Sequence, residues 1–73
     1  MTAEQFKERF VSLYPKLFAI VMANIGNCDE AKDIMQSFYL KLWENRRELD
    51  GVCNDIGYCR TVLLNMCRDR WRN

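Results

Sequence analysis

The sequence predicts an all-α fold, a small three-helix bundle. Apolar residues recur at helical spacing in three stretches separated by two short breaks. Three glycines and one proline among 73 residues are too little punctuation for a many-stranded fold. Nearly half of the chain, 49%, is apolar, so a packed core is within reach and disorder is not expected. A chain of this length makes one domain and buries only roughly 60% of its unfolded surface.

The first helix is expected over about 3–24. Phe6, Phe10, Leu13, Leu17, Ile20 or Val21, and Asn24 keep the rhythm of one buried stripe. Glu4 suits the positive end of the helix dipole. Pro15 conflicts with an unbroken helix, because an interior proline removes a hydrogen bond and costs about 3 kcal/mol. A kink or short break near Val11–Pro15 is therefore expected. Ile25-Gly26-Asn27 reads as a C-cap and turn.

The second helix is expected over about 29–48, with Asp29 and Glu30 in its first turn. Ala31, Ile34, Met35, Phe38 and Leu42 form its apolar side. The opposite side holds Asp33, Gln36, Ser37, Leu40, Glu44 and Arg47. Residues 49–54 read as a loop with turn chemistry at Asp50-Gly51, and Asn54 as the N-cap of a third helix over about 55–71. Ile56, Cys59, Val62, Leu63, Met66 and Cys67 are its apolar side; Tyr58, Thr61, Asn65, Arg68 and Arg72 share the outer stripe.

The net charge of +1 is unevenly spread. Residues 1–28 balance at +1, residues 29–50 at −2 and residues 51–73 at +2. An acidic middle and a basic end suggest different partners for different faces.

Catalytic chemistry finds little support, and the chain is read as a non-enzyme without cofactors or metal. It has no histidine, the commonest general acid–base and metal ligand. Its carboxylates are scattered along helix surfaces. The glycines at 26, 51 and 57 are isolated, so no phosphate-cradling loop is present. Cys28, Cys53, Cys59 and Cys67 lack C-x-x-C spacing, and a zinc site would need four thiolates converging from irregular positions. They are read as buried small hydrophobes in a reducing cytoplasm, with a redox switch or two disulfides as the alternatives. No charged-then-apolar leader opens the chain, and no apolar run nears the ~20 residues that span a bilayer. No membrane partner is expected.

Two faces remain for binding. Leu40 stands amid Asp33, Gln36 and Glu44, which is either an ordinary exposed leucine or a polar-rimmed contact for another helix. Tyr58, Thr61, Asn65, Arg68 and Arg72 are either a solvated stripe or a nucleic-acid face. In the second case the aromatic stacks on a base, the amide reads a base edge and the guanidiniums meet phosphates.

Two stretches resemble region 2 of the sigma-70 family, closest to the extracytoplasmic function (ECF) type of RNA polymerase sigma factor. Residues 29–43, Asp-Glu-Ala-Lys-Asp-Ile-Met-Gln-Ser-Phe-Tyr-Leu-Lys-Leu-Trp, are similar to that region's D-A-x-D…Q-x-x-F stretch. Residues 58–72 are similar to its aromatic, asparagine and arginine-bearing helix, and Phe10 to Ala23 to its first helix. The two motifs stand in the family's order and at its separation.

The resemblance implies a bacterial, cytoplasmic domain for transcription initiation. The second helix would bind the β′ clamp helices of RNA polymerase core, Asp33 and Gln36 falling on the docking positions beside Leu40 and Glu44. The third helix and the preceding loop, with Asp50, Gly51 and Asn54, would recognise and melt the −10 promoter element on the non-template single strand. Asn65 falls on an asparagine that helps line the flipped-base pocket, Tyr58 on the strand-separating aromatic, and Arg68 and Arg72 beside phosphates. Extruding a base costs a few kcal/mol, offset by its capture. An anti-sigma factor is a further partner of the kind this family meets. The chain departs from the pattern in its loop, which lacks an aromatic and an arginine before Gly51, and at Leu64, where an arginine commonly precedes the asparagine. Both departures bear on which base is taken. The region 4 domain and the short leading helix are not in the sequence, so an isolated domain or fragment is expected. A helical protein–protein adaptor and a duplex DNA-binding module are the alternatives.

Overall fold

A computed structural model describes residues 1–72. The chain runs through α1 (Ala3–Arg9), a 3-10 turn (Val11–Leu13), α2 (Tyr14–Ile25), α3 (Cys28–Glu44), a second 3-10 turn (Glu48–Gly51) and α4 (Asp55–Arg72). The long helices α2, α3 and α4 pack against one another as a three-helix bundle, and α1 is an arm at one end.

The first expected helix is two helices. Thr2 caps α1 in a reciprocal box: the Gln5 amide donates to Thr2 Oγ1 at 3.1 Å, and the Thr2 amide to Gln5 Oε1 at 3.0 Å. The chain leaves α-geometry at Phe10 (φ −116°) and re-enters it at Tyr14. Pro15 thereby falls in the first turn of α2, where its missing N–H breaks no helix hydrogen bond. The break is also held from outside: the Tyr39 hydroxyl donates to the Phe10 carbonyl at 2.8 Å.

Gly26 closes α2 in the left-handed conformation at φ 74°, its amide donating to Met22 O at 2.9 Å. Asn27 then caps α3 by accepting from the Glu30 amide at 3.0 Å. That helix stops at Glu44 instead of the expected Glu48. Asn45 Nδ2 donates to Lys41 O at 2.9 Å, and Arg46 donates to Trp43 O at 2.9 Å while its guanidinium lies 4.2 Å from the Trp43 ring centroid. The Lys41 carbonyl also accepts the last regular helix bond, from the Asn45 amide at 3.1 Å, and the Arg46 amide turns back to Trp43 O at 3.3 Å, so the side chains reinforce a tightened last turn.

The expected loop over 49–54 begins as 3-10 structure, and the turn drives Leu49 into the core. Asn54 caps α4, accepting from the Gly57 amide at 3.0 Å.

Phe10, Leu17, Val21, Phe38, Leu49 and Leu63 are all fully buried. Each contributes roughly 1.5–3 kcal/mol of apolar burial. Ile56, assigned to the apolar side of the third helix, is instead exposed, while its neighbours Asp55, Gly57 and Tyr58 in the first turn of α4 are half-buried. The reading of the cysteines also needs correction. Cys59 and Cys67 follow the Cys59–Leu63–Cys67 stripe and are buried, whereas Cys28 opens α3, Cys53 lies in the loop, and both are exposed. No helix among the described residues is long and apolar enough to cross a membrane.

Candidate functional site

Asp33, Gln36, Leu40 and Glu44 are all exposed on α3. At 100° per residue they span an arc of about 80°, centred opposite the buried Ala31, Phe38 and Leu42. Leu40 sits at the middle of that arc with 60% of its surface open. Beside it, Asp33 and Gln36 border a shallow depression with Lys32, Met35, Tyr14 and Tyr39. The Tyr14 ring stacks near-parallel to Phe18 and Tyr39, at 5.7 and 6.1 Å between centroids. The result is an apolar knob with an acidic and amide rim, suited to a partner helix carrying bases around an apolar seat.

On α4, Thr61, Asn65 and Arg68 are exposed along one outer stripe. Tyr58 departs from the free stacking ring of the sequence reading. It is half-buried against the core and edges a groove between α3 and α4, into which Asn65 also faces. The Thr61 hydroxyl donates back to Gly57 O at 3.0 Å, so its proton is used within the helix and its oxygen can only accept. Arg72 is the last residue of α4, and its side chain lies outside the described residues.

The loop residues Asp50, Gly51 and Asn54 are exposed, and Asn54 spends its carbonyl oxygen on capping α4. A residue that sequence reasoning missed secures this loop. Arg9, in the last turn of α1, donates to Asp55 through Nε at 3.1 Å and Nη2 at 2.7 Å. The same Nη2 reaches Val52 O at 3.1 Å and Leu49 O at 3.4 Å. One guanidinium thus binds two loop carbonyls and the first carboxylate of α4, and its hydrogen bond to Asp55 raises its own pKa further. A half-buried fork of this kind leaves no periodic signal. Only the arginine at the end of one helix and the aspartate at the start of another hint at it.

Burial pushes the Cys59 thiol up to about 12, with the nearby Asp55 carboxylate adding to it, and raises Cys67. Burial likewise lifts Tyr39 to about 12, helped by Cys59 and Tyr14. These groups stay protonated at neutral pH and are not nucleophiles. Among the described residues, no three His, Cys, Asp or Glu side chains gather as metal ligands would.

Comparison of the chain with known protein families, characterised proteins and solved structures returned no match.

Proposed function

We propose that this chain is a sigma-factor region 2 domain. In this reading α3 docks on the β′ clamp helices of RNA polymerase core, and α4 with its preceding loop captures the non-template strand of the −10 element during transcription initiation. The observation that carries the reading is the arc on α3. Asp33 and Gln36, the two residues that match the family's docking positions, share one solvent-facing surface with Leu40 and Glu44. Covering Leu40 would contribute roughly 1.5–3 kcal/mol, and the acids would meet bases on the partner.

The α4 surface supports the second half. Asn65 and Arg68 lie on the outer stripe, and the loop that leads into it is fixed by Arg9. The domain makes and breaks no bond. Its work is to trap unpaired bases by contacts that duplex DNA cannot offer.

The test is fluorescence anisotropy with a −10-like single strand and its duplex, alone and with polymerase core, over a series of salt concentrations. The expected result is a preference for the single strand that weakens with salt and strengthens with core. Equal affinity for duplex and single strand would favour a duplex-reading module. Binding of neither DNA nor core would favour an adaptor.

A further inference from the structure

A short path of hydrogen bonds joins the α3 face to the loop before α4. Tyr39, half-buried on α3, borders the depression beside Asp33 and Gln36. Its hydroxyl donates to the Phe10 carbonyl at 2.8 Å, where α1 gives way to the first 3-10 turn. The residue before Phe10 is Arg9, whose guanidinium lies 5.1 Å from the Phe10 ring centroid and holds Leu49 O, Val52 O and Asp55.

The 3-10 turn is the part of this path with room to change. The Phe10 carbonyl also accepts from the Leu13 amide at 3.1 Å, and the Tyr14 amide donates to Val11 O. Both bonds are local, whereas the one from Tyr39 comes from another helix. A 3-10 turn rotates about 120° per residue against about 100° in an α-helix. Relaxing three such residues therefore redirects the side chains of α1 by up to about 60° relative to α2. A planar fork such as that of Arg9 loses its partners over a smaller rotation.

We propose that this turn couples the two faces of the domain. A partner seated over Tyr39 steadies its hydroxyl on Phe10, the turn keeps Arg9 on the loop, and capture of a single strand by the loop and α4 is strengthened. The proposal rests on the reading of α3 as the docking helix and α4 as the DNA helix. It adds Tyr39, a residue of α3, as a positioning residue for DNA binding. Linkage makes the effect reciprocal, so the strand tightens the partner by the same factor.

The experiment measures the affinity of the whole chain for a −10-like single strand, with and without a saturating β′ clamp-helix fragment. It is repeated with Tyr39→Phe, which removes the hydroxyl and keeps the ring. The readout is the ratio of the two affinities, which is insensitive to a change in either ligand's binding alone. The ratio is expected to be at least about fivefold in the unaltered chain and close to one in Tyr39→Phe. Without ligands, exchange of the Arg9 Nε–H with water should quicken at least about tenfold in Tyr39→Phe, with the Leu63 backbone amide unaffected.

A ratio that persists in Tyr39→Phe would overturn the proposal, because the ligands would then communicate without the hydroxyl. A ratio of one in the unaltered chain, with both ligands bound, would overturn it too while leaving the two-face reading intact. Binding of neither ligand would overturn that reading and the proposal with it.

Discussion

Arg9 and Asp55 are joined by two hydrogen bonds, 2.7 and 3.1 Å long, that tie the end of α1 to the start of α4. Arg9 also reaches the carbonyls of Leu49 and Val52, so the loop between α3 and α4 is fastened along most of its length. An arm at one end of the bundle therefore sets the position of the loop proposed to meet unpaired DNA.

Arg9→Ala and Asp55→Ala are each expected to weaken single-strand binding several-fold, with clamp-helix binding through α3 left in place. Together they should cost little more than Arg9→Ala alone, since that change already removes the contact Asp55 makes along with those to Leu49 O and Val52 O. Arg9→Lys should not restore binding, because an ammonium cannot span a carboxylate and two carbonyls as a planar fork does. Anisotropy titrations with both ligands check this. Equal losses on both ligands would reduce the pair to a general fold contact.

Stability should track burial and capping. Leu63→Ala, at a fully buried site, is expected to cost roughly 2–5 kcal/mol in urea unfolding. Ile56→Ala, exposed at the start of α4, should cost under about 1 kcal/mol despite lying on the same side of the sequence pattern. Asn27→Ala should cost about 1 kcal/mol through the lost cap. At Gly26, φ 74° makes alanine unfavourable by roughly 1–2 kcal/mol even though nothing crowds the position.

Alkaline pH should unfold the domain. Cys59 and Tyr39 have folded pKa values near 12, above their ordinary values of 9.0 and 10.0. The folded state thus holds these protons more tightly than the unfolded chain does. Their contribution is complete below about pH 9 and is lost as pH rises toward 12. Thermal melts across that window should show a falling Tm.

Thiol labelling separates the cysteines. At neutral pH, Cys28 and Cys53 should react promptly and Cys59 and Cys67 only after denaturation. Prompt labelling of all four would contradict the packing of α4.

The parts legible in the sequence were those written in local chemistry. Gly26 as a C-cap, Asn54 as an N-cap and the buried stripe Cys59–Leu63–Cys67 depend on neighbours within two turns. Pro15 announced a break but not its form, because a kinked helix and a 3-10 turn satisfy the same proline. The end of α3 was misread since residues 45–48 are tolerable in a helix. Side-chain capping by Asn45 and Arg46, and the pull of Leu49 into the core, decide it in three dimensions. The outward arc of Asp33, Gln36, Leu40 and Glu44 followed from periodicity alone. The Arg9 fork, joining residues 46 apart, and the half-burial of Tyr58 depend on how helices meet, which periodicity does not encode.

The most direct measurement is calorimetric titration of the chain with a β′ clamp-helix fragment, repeated with Asp33→Ala plus Gln36→Ala and with Leu40→Ala. Saturable one-to-one binding is expected, reduced at least tenfold by either change, with the fold intact by circular dichroism. Binding that survives both changes, or no binding by the unaltered chain, would contradict the assignment of α3 as the polymerase-docking helix.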